Sequence, residues 1–167
     1  MNSVRFEEIR EEHLSEVLNI YTYYVLNTTA TFHAHALTEA EMRELVFFEN
    51  PKYHAYIILC DDMIAGYVIL TQHKKREAYD ATAEVTIYLK PDCNGQGVGG
   101  KATQFIEEVA LRQNMHVLVA TICGENQRSI RLFEKSGYVK CAHYKEVGVK
   151  FGQYLDVVAY QKILQNK

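Results

Sequence analysis

EVTIYLKPDCNGQGVGGKATQFIEEV, residues 84–109, carries an apolar strand into a turn holding Gly95, Gly97, Gly99 and Gly100, and that turn opens directly into a helix. The first backbone N–H groups of a helix lack internal partners, and the aligned peptide dipoles make that end positive. The junction is therefore expected to bind an anion, most naturally a phosphate or pyrophosphate. An ordinary strand-to-helix turn rarely needs four glycines in six residues.

Outward from this junction, the patterning predicts a strand at 83–90 and a helix over 98–113 with Phe105, Ile106, Val109 and Ala110 facing inward. Upstream, Val4, Phe6 and Ile9 predict a strand near 3–9, and Leu14, Val17, Leu18, Tyr21 and Val25 recur at helical spacing. Thr38 and Glu41 form a capping-box pattern for a helix over 39–49, ended by Asn50-Pro51. Tyr56–Cys60 and Met63–Leu70 read as a hairpin turned at Asp61-Asp62. Downstream come a buried strand at Val117–Ile122, a short helix at Ser129–Lys135 closed by Gly137, and strands at Tyr138–Tyr144 and Tyr154–Leu164. This order predicts one mixed α+β domain with a sheet of six or seven strands.

Composition narrows the function classes. The 167 residues are enough for one self-sufficient core, 48% are apolar, and no run approaches membrane-spanning length. Eighteen Lys plus Arg against 21 Asp plus Glu leave a net charge of −3, which argues against non-specific nucleic-acid binding. MNSVRFEEIREE has no apolar signal core, so a cytoplasmic protein is expected. Cys60, Cys93, Cys123 and Cys141 form no CxxC pair and read as scattered reduced thiols. His33 and His35 alternate on a loop without further ligands and read as surface residues; no metal is expected.

Three glycine-loop templates compete for the anion. A dinucleotide fingerprint needs GxGxxG and an acidic residue ending the next strand; the chain has GxGxGG, and the strand ends Thr121-Ile122-Cys123. The triphosphate loop GxxxxGK[ST] matches at Gly95, Gly100 and Lys101, but Ala102 lacks the hydroxyl that holds magnesium. A metal-free pyrophosphate asks for nothing the chain lacks.

On that third reading, Asn94-Gly95-Gln96-Gly97-Val98-Gly99 resembles the acetyl-coenzyme A signature [RQ]xxGx[GA] of the GCN5-related N-acetyltransferases (GNAT), with Asn94 in place of Arg or Gln. GENQRSIRLFEKSGYV resembles that family's C-terminal motif, with Asn126 at its cofactor-contacting position. YVLNTTATF (24–32), Arg76-Glu77-Ala78-Tyr79, Glu84 and KEVGVKFGQYLDVV (145–158) resemble the phosphinothricin / methionine sulfoximine N-acetyltransferase branch. The resemblance implies the GNAT acyl-CoA N-acyltransferase fold, a mostly antiparallel mixed sheet flanked by about four helices. It also implies acetyl-CoA as co-substrate, acetylation of the α-amine of a small amino-acid-like compound, and a cytoplasmic homodimer.

The same resemblance implies a set of site residues. Ile87, Tyr88 and Leu89 would hold the pantetheine arm and thioester through backbone amides. Gly95, Gln96, Gly97, Val98, Gly99 and Gly100 would bind the pyrophosphate, with Gly97 and Gly99 admitting its close approach. Asn126 and Ser129 would lie along the cofactor, and Asn126 also suits an N-cap. Strand alternation places Glu84, Thr86 and Tyr88 on one face, and a carboxylate opening an apolar strand is unusual unless exposed or at work. Glu84 matches the family's catalytic glutamate, which makes it the expected general base. Lys74, Lys75 and Arg76 offer charge for a substrate carboxylate, and Phe32 and Tyr79 would wall the pocket.

Two departures stand out. The branch usually carries Arg where this chain has Asp80, and often His, with Tyr in related acetyltransferases, where it has Phe133, which has no proton to give. Phe133 keeps a second class open at this point, a non-catalytic acyl-CoA-binding module. A nucleotide-binding loop remains a third.

Overall fold

The computed structural model describes residues 3–165. Seven strands form one sheet in the order β1-β2-β3-β4-β5-β7-β6. In chain order they are β1 (Val4–Glu8), β2 (His54–Cys60), β3 (Met63–Gln72), β4 (Thr82–Leu89), β5 (Val117–Cys123), β6 (Val139–Lys150) and β7 (Gln153–Ile163). Every adjacent pair is antiparallel except β4 and β5, the pair joined through the glycine turn. The four helices are α1 (Leu14–Asn27), α2 (Glu39–Val46), α3 (Val98–Arg112) and α4 (Gln127–Lys135).

The sheet buries both faces. On one, Leu14, Val17, Ile20, Tyr21 and Val25 of α1 join Met42 and Val46 of α2 against Ile57, Tyr67 and Ile69. On the other, Ala102, Ile106, Val109 and Ala110 of α3 and Ile130 and Phe133 of α4 pack on Val68, Val85, Leu118 and Ile122. Both helical stripes follow the 3.6-residue period. Phe105, expected to face inward, is partly buried and stacks on Phe6 with ring centroids 4.2 Å apart.

The Asp61-Asp62 turn places both residues at positive φ, 49° and 66°, the type I′ geometry of tight hairpins. The Thr38–Glu41 capping box is present in both directions. β2 starts two residues before expectation, at His54, and β3 ends two after it, at Gln72; three further elements also differ. α2 ends at Val46, because Phe47 turns extended (φ −112°, ψ 130°) and Phe48 instead packs against Tyr53. α4 starts at Gln127, one residue after its Asn126 cap. β6 runs on to Lys150, past a register shift between Tyr144 and Gly148 where Glu146 takes φ 56° and donates its N–H to Asp156 Oδ1 (2.8 Å). The bulge interrupts the alternation that marks a strand in the sequence.

Candidate active site

β4 and β5 are paired only from Thr82↔Val117 to Glu84↔Val119, although β4 continues to Leu89 and β5 to Cys123. β4 stays laddered to β3 as far as Leu89↔Gly66, so the two parallel strands part and leave a wedge between them. Lys90 N–H donates to Ala65 O (2.8 Å), while Ala81 O accepts from His116 and Val117. The alternation of the ladder then turns the peptide groups of Val85, Ile87 and Leu89 into the wedge. Tyr24 donates its hydroxyl to the Leu89 carbonyl, leaving the Ile87 and Leu89 N–H groups facing the opening. Tyr88 differs from the expectation: by the same alternation its peptide belongs to the ladder with Tyr67, although the residue borders the cleft.

The wedge widens into a cleft of about 1330 Å³, above the roughly 300–1,000 Å³ of ordinary small-molecule pockets. Such room suits a long ligand. Its walls come from Thr86–Leu89, Ala120–Ile122, the end of α1 with Tyr24, Thr28 and Thr29, and the start of α3 and α4. Gly95, Gly97, Gly99 and Gly100 all line it.

The glycines have different reasons. Gly95 and Gly97 sit at φ 77° and 79°, a conformation that costs an ordinary L-residue about 1–2 kcal/mol. Gly97 caps α3 from this left-handed position and offers no side chain, so the first-turn amides are left to the cleft. Gly99 was expected to admit the ligand; instead a Cβ there would meet the Leu132 side chain at 3.0 Å, so its bareness also serves helix packing. A Cβ at Gly100 would enter open space. Gln96 and Val98 do not line the cleft: Gln96 Nε2 donates to Asp92 O (3.0 Å), and Val98 is buried in the core. Val98 contributes through its place in the first helical turn alone.

Asn126 and Ser129 lie together in the cleft wall, where Asn126 Oδ1 accepts from Ser129 N–H (3.2 Å) as the cap of α4. Beside them Arg128, Arg131 and Lys135 also line the cleft. Their spacing of i, i+3 and i+7 puts them on one helix face, a signal the sequence itself carries. Of the two carboxylates in the same lining, Glu107 is engaged by Lys162 Nζ at 3.1 Å and Glu125 accepts from Thr29 Oγ1 at 2.5 Å. The balance at this end favours an anion. Burial raises the phenols of Tyr24 and Tyr88 above their ordinary range.

At the apex, where pairing stops, stands Glu84. Its Oε1 accepts from Thr121 Oγ1 of β5 (3.2 Å), and its Oε2 lies 3.2 Å from His73 Nδ1. Thr121 itself lines the cleft, so the carboxylate is one side chain behind the wall. The His73 ring meets the edge of Tyr79 at 5.8 Å, and Lys74 Nζ lies 5.7 Å over Tyr79. Glu84, Tyr79 and Lys74 are thus gathered through His73. Lys75 and Arg76 are exposed on the same β3–β4 connection.

Phe32 takes another position, on β6, where its ring lies so close to Gly148 that a Cβ could not be added. Thr31 next to it is held by Lys150 Nζ, a buried amine donating to Thr31 O at 2.8 Å, and by Tyr21, whose hydroxyl is 2.6 Å from Thr31 Oγ1. His33 is exposed, yet its Nδ1 shares a hydrogen bond with the same Tyr21 hydroxyl. Phe133 lines the cleft but is 3% exposed, its ring edge-on to Tyr138. All four cysteines are free. Among the described residues no cluster of three or more His, Cys, Asp or Glu side chains is arranged to hold a metal.

The family model described as an acetyltransferase (GNAT) domain matches residues 7–159. The phosphinothricin N-acetyltransferase of Streptomyces coelicolor is 29% identical over 92% of this chain and 92% of its own length. The L-methionine sulfoximine/L-methionine sulfone acetyltransferase of Salmonella typhimurium is 30% identical over 87% of this chain and 85% of its own. Among solved structures, a phosphinothricin acetyltransferase from Sinorhizobium meliloti in complex with AcCoA superposes with a TM-score of 0.91 at 26% identity, covering 96% of this chain and 88% of that one.

Proposed function

The chain belongs to the GNAT family of acetyltransferases, and on that premise we propose that it moves an acetyl group from acetyl-CoA to the α-amine of a small amino-acid-like compound of the phosphinothricin, methionine sulfoximine or methionine sulfone type. The observation that carries this reading is the wedge between β4 and β5, with free strand amides on one wall and the α3 N-terminus at its mouth.

The first-turn amides of α3, beginning at the Gly97 cap, hold the diphosphate without a divalent ion. Ile87 and Leu89 N–H groups bind the pantetheine arm and donate to the thioester oxygen as it gains charge. Asn126 and Ser129 border the arm, and Arg128, Arg131 and Lys135 draw the anionic end of the co-substrate toward α4. Glu84 takes the proton of the attacking amine, directly or through a water near Thr121. Lys74, Lys75 and Arg76 receive the substrate carboxylate, with Tyr79 as an apolar wall. Phe133 gives no proton, so the departing thiolate is protonated by solvent.

Assembly as a homodimer is part of the proposal. Its support is β6, an edge strand whose hairpin with β7 exposes Tyr144, Val147, Val149, Phe151 and Tyr154. A cytoplasmic setting is likewise proposed; no described helix is long and apolar enough to cross a membrane.

Release of free thiol from acetyl-CoA, followed with a panel of amines that includes phosphinothricin, methionine sulfoximine and methionine sulfone, tests the reading. Turnover with at least one of the three is expected. Turnover confined to amines without a carboxylate would contradict the substrate class.

A further inference from the structure

The base assigned above has a partner that the sequence motifs do not assign. Among the described residues two side chains make polar contact with the Glu84 carboxylate: Thr121 on Oε1 and His73 on Oε2, each at 3.2 Å. Thr121 has no charge to change. His73 is the one titratable group touching this carboxylate, and both are partly withdrawn from water, with 21% of the His73 side chain and 29% of the Glu84 side chain exposed. Screening of the pair is therefore weaker than at an open surface.

The position of the ring is fixed. His73 follows directly on β3, whose Thr71 pairs with Glu84 itself. Tyr79 meets the ring edge-on from the far end of the β3–β4 connection. The charged group beside Tyr79 is Lys74, whose amine lies over that phenol. The sheet neighbour facing from β5 is Thr121. No second carboxylate competes with Glu84 for the imidazole among the described residues.

We propose that His73 is a positioning residue that both orients Glu84 and switches it, holding the carboxylate ready while the ring is neutral and disabling it when the ring is protonated. The inference rests on Glu84 being the base. In the neutral ring, Nδ1–H donates to Oε2 and Nε2 keeps its lone pair; Thr121 donates to Oε1, and the remaining lone pairs of the carboxylate face the amine. When a hydronium proton adds at Nε2, the N–H bond formed turns the ring into a cation. The same contact becomes an ion pair, and a carboxylate so stabilised accepts the amine's proton less readily. The consequence is directional. Activity is lost toward acid as the ring gains its proton, before the carboxylate itself is neutralised.

The test is the pH dependence of kcat at saturating acetyl-CoA and amine for the full chain, His73→Phe, His73→Asn and Glu84→Gln, each checked by thermal melting. The wild-type protein is expected to show an acid limb that depends on the residue at 73. His73→Phe should lose about tenfold in kcat at pH 8, with KM for acetyl-CoA unchanged and the acid limb displaced to lower pH. His73→Asn keeps an N–H donor where Nδ1–H stood but has no proton to gain. It should restore most of kcat at pH 8 while its acid limb stays displaced, a separation that a purely structural role would not produce. Wild-type behaviour of His73→Phe in both rate and pH profile overturns the proposal, as does an unmoved acid limb in His73→Asn. Glu84→Gln distinguishes the levels: if it turns over normally the assignment of the base itself fails, whereas a slow Glu84→Gln beside an unaltered His73→Phe removes the inference about His73 alone.

Discussion

Adding one methyl group at Gly97 and one at Gly100 should have opposite effects, although the two positions lie three residues apart at the mouth of the same cleft. Gly97 sits at φ 79°, so alanine there costs about 1–2 kcal/mol. At about 2–4 °C per kcal/mol for a chain of this size, the melting temperature should fall by roughly 2–8 °C. The chain relieves that strain by rotating the peptide that aims the first amides of α3, and each charge-assisted hydrogen bond lost to the diphosphate removes about 1.5–3 kcal/mol. Coenzyme A affinity should therefore drop roughly tenfold to a hundredfold. Gly100 lies inside α3, and a Cβ there meets nothing within 4 Å. Alanine should stabilise the helix by about 1 kcal/mol, raising the melting temperature by about 2–4 °C. The Gly100 amide is unchanged, so affinity should stay within a few-fold. Melting curves and calorimetric titration of both variants are the assay. A Gly97→Ala protein that melts lower yet binds coenzyme A normally would refute the argument that the left-handed cap aims the ligand-binding amides.

Other perturbations follow from the same geometry. Glu84→Gln should lower kcat about 10²–10⁴-fold while leaving coenzyme A affinity intact, measured by thiol release and titration. Gly148→Ala drives a methyl into the Phe32 ring, and overpacking of about 1–3 kcal/mol should lower the melting temperature measured by thermal denaturation. Paired replacement of Arg128 and Arg131 by alanine should weaken coenzyme A binding and flatten its salt dependence, since both line the cleft without contributing to the core. Asp156 is held below the usual carboxylate range, first by His143 Nε2 at 2.8 Å and then by the Glu146 N–H. A depressed carboxyl stabilises above its unfolded value and loses that contribution as pH falls through the lowered one. Asp156→Asn should therefore cost more melting temperature at pH 7 than at pH 3.

The sequence carried the glycine junction and most elements because each obeys a short-range rule: glycines where φ turns positive at residues 95 and 97, a capping box at Thr38 and Glu41, a 3.6-residue stripe on α3. What it did not carry is non-local. Where the β4–β5 ladder stops at Glu84 depends on how two strands diverge in space, and alternation along one strand does not record its partner. The use of the Tyr88 amide depends on that same pairing with β3. Arg128, Arg131 and Lys135 were legible as one helix face, but their arrival at the cleft depends on the Leu132–Gly99 packing that sets α4 against α3. His73 was hidden among lysines, and its contact with Glu84 appears only once β3 and β4 are laid in register. β6 was truncated in the sequence reading because the bulge at Glu146 breaks the period.

Calorimetric titration of the metal-free protein with coenzyme A, in the presence of a chelator, tests the central claim most directly. The account predicts saturable binding of one coenzyme A per chain, indifferent to added magnesium and weakened by Gly97→Ala. Absence of binding under these conditions, together with a nucleoside triphosphate that associates only with magnesium present, would contradict it.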